Sequence, residues 1–105
     1  MKQIVFKNFN ENHKNKRYYV NLGEDTYIFS VKWDDYAECA FLSIMDYNNN
    51  PIVTGKALVN GLVIRNVKLP YVFSFLQINA ETYEPTLDII AKEFVLCYED
   101  GENGG

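Results

Sequence analysis

The sequence predicts an all-β fold: a small antiparallel β-barrel or sandwich of seven to eight short strands, with at most one short helical turn. Three observations carry this. Short runs of β-branched and aromatic residues recur at regular spacing along the chain. Asn, Asp and Gly clusters separate the runs. Only one stretch, "AETYEPTLDIIAKE" from Ala80 to Glu93, suits a helix.

The elements follow in order. "MKQIVF" reads as a short first strand with Ile4 and Phe6 on one side. "NFNENHKNK" is polar and turn-rich and reads as a loop, and the basic cluster His13 to Arg17 within and beside it reads as solvated. "RYYVNL" (Arg17 to Leu22) is a strand, Gly23 to Asp25 a tight connection, and "TYIFSVKW" its hairpin partner. In that partner Tyr27, Phe29, Val31 and Trp33 alternate with Ile28, Ser30 and Lys32, a period of two.

"DDYA" turns the chain into "ECAFLSIMD" (Glu38 to Asp46), apolar on both faces: Cys39, Phe41 and Met45 against Ala40, Leu42 and Ile44. "YNNN" is a turn. "PIVTGKALV" is a strand interrupted at Gly55, where a bulge or sharp bend is expected. Asn60-Gly61 predicts a type I′ hairpin leading into "LVIR" (Leu62 to Arg65). "NVKLPY" connects to "VFSFLQIN" (Val72 to Asn79), again apolar on both faces. Thr86 is the expected cap of a single helical turn through Ile90 and Ala91. "FVLCYED" (Phe94 to Asp100) is the last strand and "GENGG" a tail. Residues 1–100 are expected to form one domain and 101–105 a disordered end.

Composition bounds the function. At 105 residues, 48% of them apolar and 15% aromatic, the chain can fill one core without disulfides or a metal. A net charge of −4 argues against nucleic acid as the main partner, since phosphate binding needs a basic surface. No stretch approaches a membrane span and no apolar run suits a signal peptide, so synthesis in a cytoplasm is expected.

No set of residues reads as an active site. His13 is the single histidine and lies in the most polar loop. Cys39 and Cys97 sit in apolar strands outside any CxxC or Cys/His pattern, which points to buried, reduced thiols, with facing strand positions as the alternative. Asp34-Asp35 suits a turn better than an acid–base pair, because neighbouring residues there point apart. Glu81, Glu84 and Asp88 lack the spacing of a calcium loop. Glu99, Asp100 and Glu102 form a solvated acidic end. Gly55 and Gly61 are not a phosphate loop, since no GK[ST] and no helix follow them. No catalytic residue, cofactor or metal ligand is therefore expected, and the protein is not read as an enzyme.

The informative feature is an excess of apolar strand residues. A small sheet with one wet face should alternate cleanly. Glu38 to Asp46, Leu62 to Arg65 and Val72 to Asn79 do not. Either a loop, the helical turn or another protein covers the second face, the last of which eight tyrosines would suit, or the domain simply exposes apolar surface as small domains do.

The order of features is similar to that of a known family. "RYYVNLGEDTYIFSVKWDDYAECAFLSIMD" leads to "NNNPIVTGKALVNG", whose Pro51-Ile52-Val53-Thr54-Gly55 is the most specific piece, and then to "YEPTLDIIAKEFVLCYED". From Arg17 to Asp100 the chain resembles the small plug-type baseplate proteins of contractile phage tails, the cyanophage baseplate plug family. It departs from them at the Lys-rich N-terminal loop and at Leu87, Ile89 and Ile90. The resemblance implies a structural virion component at the tail axis, filling the junction between hub and tail tube. It implies hub and tail-tube proteins as partners, multiple copies in a symmetric assembly, and no catalytic residues. A free-standing β module that grips a sugar or peptide through Tyr and Trp33 is the competing reading.

Overall fold

A computed structural model describes residues 2–100. Eight strands and one helical turn follow in order: β1 Lys2–Ile4, β2 Asn15–Leu22, β3 Asp25–Asp34, β4 Cys39–Asp46, β5 Pro51–Ala57, β6 Leu62–Ile64, β7 Tyr71–Gln77, α1 Ile90–Glu93 and β8 Phe94–Asp100. They form two antiparallel four-stranded sheets, β2-β3-β4-β5 and β1-β8-β7-β6. The sheets stay open, so of the two expected architectures the sandwich is the one adopted. The tail expected at 101–105 lies outside the described residues.

The first sheet is a meander built on local turns. Gly23 has φ +67° at the first central position of the β2–β3 turn, the pattern of a type II′ hairpin, which wants glycine there. Between β4 and β5 the Asp46 carboxylate accepts N–H bonds from Asn48 and Asn50, both 2.9 Å, while Asn49 takes φ +68°. These bonds also hold the Asp46 carboxyl below its usual range.

β5 then leaves regular pairing: its register with β4 shifts between Leu42 and Ile44 and again between Ile44 and Met45. Gly55 stands at this irregularity with φ +56°, and its N–H finds the Ser43 hydroxyl at 3.0 Å. The bend expected at Gly55 is present. A Cβ added there meets nothing within 4 Å, so the cost of substitution is backbone strain alone. Gly55→Val should lower stability by about 1–2 kcal/mol, read as a lower urea midpoint with an unchanged slope. Gly55→Asn should cost less, because Asn tolerates this conformation.

The Asn60-Gly61 corner departs from expectation. It does not fold β6 back onto β5. β5 belongs to the first sheet and β6 to the second, where its partner is β7. Only Gly61 has positive φ, +92°, and the Leu62 N–H reaches the Val59 carbonyl at 3.0 Å. Positive φ at the second central position alone marks a type II turn. The corner therefore carries the chain from one layer of the sandwich to the other.

Two further boundaries differ. β2 begins at Asn15, so part of the basic cluster read as loop is strand: Lys16 pairs with Val31 and Arg17 with Ser30. Thr86 does not cap α1 with its side chain. The N-cap is Ile89, without a side-chain bond, and the Thr86 carbonyl instead accepts the N–H groups of Ile89 and Ile90 at 3.2 and 2.9 Å. The Thr86 hydroxyl is taken up by Asp88 at 2.5 Å.

Phenylalanine builds the core. Phe6, Phe9, Phe29, Phe73, Phe75 and Phe94 are fully buried, and only Phe41 of the seven is not in this group. Phe29 of β3 meets Phe73 of β7 edge-on across the sandwich, ring centres 5.6 Å apart. Ile4 and Phe6 share the inner side, as their spacing predicts. Ala40, Leu42 and Ile44 of β4 point inward, all at 0% exposure. The molecule measures 34 × 30 × 20 Å, and the short axis suits two sheets stacked about 10 Å apart with side chains outside them.

Tyr18 closes one rim. Its ring packs on Phe6 at 5.3 Å and its hydroxyl donates to the Lys7 carbonyl at 2.9 Å. Burial pushes the phenol up to about 12. A raised tyrosine favours the fold fully below its unfolded value near 10 and loses that contribution as pH rises toward 12. The fall in urea midpoint over that range should be smaller in Tyr18→Phe than in the parent chain.

Candidate functional site

The residues with chemical potential do not converge. His13 is exposed and forms a small bridge with Asn10 through paired backbone bonds of 2.9 and 3.2 Å. Asp34 is used by its own turn, accepting the Tyr36 and Ala37 N–H groups at 2.8 and 3.1 Å. Asp35 binds Lys14 at 3.1 Å, and Glu11 lies 3.5 Å from the same ammonium. Together these carboxylates hold Lys14 above its ordinary value, the Asp35 hydrogen bond contributing most. Among the described residues no three His, Cys, Asp or Glu side chains gather in metal-binding geometry.

The cysteines lie in different sheets, Cys39 in β4 and Cys97 in β8, so they are not facing strand residues. Both are free thiols. Cys97 is buried, whereas Cys39 is only half-buried, its thiol raised first by burial and then by Asp34. Thiol titration of denatured protein without reductant should find both. In the native protein Cys39 should react slowly and Cys97 hardly at all.

The acidic stretch after β7 serves a loop clasp. Gln77 is the buried polar residue at its base, 3% exposed. Its carbonyl oxygen accepts the Asn79 and Glu81 N–H groups at 2.6 and 2.9 Å, and its amide donates to the Tyr83 hydroxyl at 2.8 Å. The Tyr83 hydroxyl donates in turn to the Glu93 carboxylate, and that bond is the largest cause of its raised pKa. From the other side Asn60 donates its side-chain amide to the carbonyls of Glu81 and Tyr83 at 2.8 and 2.9 Å, and its N–H to Glu84 at 2.8 Å. Sequence alone did not mark Gln77 or Asn60 for this role. A polar residue closing an otherwise apolar strand was the only signal for Gln77.

What remains are the two outer faces. On the first sheet Tyr19, Ile28 and Met45 stand side by side in register, and Tyr19 meets Tyr47 edge-on at 6.5 Å. Tyr19 and Tyr47 are 62% and 65% exposed, yet Ile28 is 2% exposed. Cys39, Phe41 and Met45 are half-buried on this outward side. On the second sheet Val63, Ser74 and Cys97 form one row and Leu76 and Val95 the next. Val63 is 52% exposed, Leu76 39% and nearby Ile78 54%. The three strands expected to be apolar on both faces are so, and closure into layers covers only one face of each. Contiguous exposed apolar residues of this kind mark contact surfaces more often than chemistry.

Comparison with curated proteins gives no match. The family described as the cyanophage baseplate Pam3 plug gp18 matches residues 1–102, nearly the whole chain. Its span includes the N-terminal loop that the resemblance from Arg17 onward left out. With an all-β body, exposed apolar side chains on both outer faces and this match over residues 1–102, the chain belongs to the cyanophage baseplate plug family, structural components of the phage virion.

Proposed function

We propose that the protein is a plug or adaptor at the axis of a contractile tail, or of a tail-like particle, where it fills the junction between hub and tail tube. The family match over residues 1–102 carries this reading. Both outer faces of the sandwich support it, because each presents apolar side chains that a partner surface would cover. Hub and tail-tube proteins are the partners, several copies sit in a symmetric assembly, and the role is structural rather than catalytic. The protein is made in the host cytoplasm and ends in the virion.

Co-expression with the neighbouring tail genes, followed by affinity purification, tests this. A hub or tube protein recovered at fixed stoichiometry is the expected result. A clean monomer that ignores those proteins and is missing from purified particles would overturn it, and retention of a sugar or peptide by that monomer would favour a binding module.

A further inference from the structure

Two open sheets leave four edge strands: β2 and β5 on one, β1 and β6 on the other. Unpaired N–H and C=O groups on such edges invite another strand, and proteins usually blunt them. Three of these edges are blunted. β1 and β6 have three residues each. β5 opens with Pro51, which lacks an N–H, and slips register twice against β4.

β2 is not blunted in these ways. It pairs without a shift over eight residues, from Asn15↔Lys32 to Leu22↔Asp25. The bond from the Trp33 N–H to the Lys14 carbonyl, 2.8 Å, fixes the phase of this ladder. Hydrogen-bonded pairs alternate in an antiparallel ladder, so Lys16, Tyr18, Val20 and Leu22 spend their backbone groups on β3. Asn15, Arg17, Tyr19 and Asn21 turn theirs to the open side. All four are exposed, and among the described residues no backbone group bonds to theirs.

The charge on this edge selects the occupant. Lys16 and Arg17 lie on β2, and no carboxylate does, although the whole chain has net charge −4. A second copy fits poorly. Its long regular edge is β2 again, and pairing β2 with β2 would double the cations along one seam with nothing to offset them.

Resting on the baseplate reading above, we propose that the β2 edge accepts an extended, carboxylate-bearing segment of another baseplate protein as a fifth strand of the β2–β5 sheet. Backbone bonds to Arg17, Tyr19 and Asn21 supply the attachment. Carboxylates opposite Lys16 and Arg17 set its register.

Hydrogen exchange on the free protein and on tail particles of the parent phage tests this. In the free protein the outward amides of Arg17, Tyr19 and Asn21 should exchange fast. In the particle, peptides covering Asn15 to Leu22 should gain protection at those amides. Two variants separate edge from face. Tyr19→Pro removes an outward N–H and no bond to β3, a change edge strands tolerate. Tyr19→Ala removes the same ring and keeps the N–H. The proline variant should be incorporated into particles far less than the alanine variant, which has lost the same outer-face ring but keeps the N–H. Should the proline variant fail to fold, Lys16→Glu with Arg17→Glu provides the second reading, again a loss of incorporation. The docking proposal is overturned if β2 amides in the particle exchange as fast as in the free protein, if Tyr19→Pro is incorporated as well as Tyr19→Ala, or if the free protein forms a β2–β2 dimer. A protein absent from the particles would sink the baseplate reading itself.

Discussion

Phe73→Ala should lower stability by about 3–5 kcal/mol, a drop in melting temperature of roughly 15–30 °C for a domain of this size. Phe73 is 0% exposed and touches both layers of the sandwich. Its ring meets Phe29 of the opposite sheet at 5.6 Å and Tyr98 of its own sheet at 5.6 Å. Removing it leaves a cavity between rigid sheets that cannot close around it. Thermal and urea melts of the variant measure the loss. A double-mutant cycle with Phe29→Ala should show the two rings coupled, since they share one contact. A loss under about 1 kcal/mol would mean the layers repack freely.

Gln77→Leu should cost about 2–3 kcal/mol. The leucine fills the same buried space but leaves the Asn79 and Glu81 N–H groups and the Tyr83 hydroxyl without their central partner. Gln77→Glu keeps the acceptor for both N–H groups but buries a carboxylate against the Tyr83 oxygen, whose proton already goes to Glu93, so near neutral pH it should cost at least as much and recover as the new carboxyl is protonated at lower pH. Urea midpoints give the difference. Exchange at Asn79 and Glu81 localises it, because those amides should open without global unfolding only in the leucine variant.

The strands were legible where the period of two was clean or where both faces were apolar. Tyr27, Phe29 and Val31 declared the inner side of β3 through alternation alone. The β4 residues Ala40, Leu42 and Ile44 could not be told from Cys39, Phe41 and Met45 by hydrophobicity, and only the layer above β4 decides which row is core. Asn60-Gly61 misled because glycine suits positive φ in a type I′ hairpin and in a type II corner alike. The choice between them depends on which sheet receives β6, a tertiary matter invisible in a dipeptide. The start of β2 was missed because Asn15 and Lys16 have low strand propensity, and β3 holds them in line through Lys32 and Val31. As for the candidate site, the doubly apolar strands were readable, whereas the open β2 edge was not. An edge is defined by the absence of a neighbour, and no local pattern records that.

The pairing of β1 with β8 has a consequence for how the molecule is made. Lys2 lies opposite Tyr98 and Ile4 opposite Leu96, so β1 leaves the ribosome well before β8 and must wait for it. Meanwhile β2 to β5 can zip into a meander through short turns, each close in sequence. That half-finished sheet presents Phe29, Leu42 and Ile44 to water until β6, β7 and β8 arrive to cover them. Long-range closure is the slow step in such topologies, and the exposed intermediate is the species that sticks to its neighbours. During synthesis the nascent chain therefore has its widest window for aggregation between the completion of β5 and the capture of β1, and faster translation of the second half of the message would narrow it.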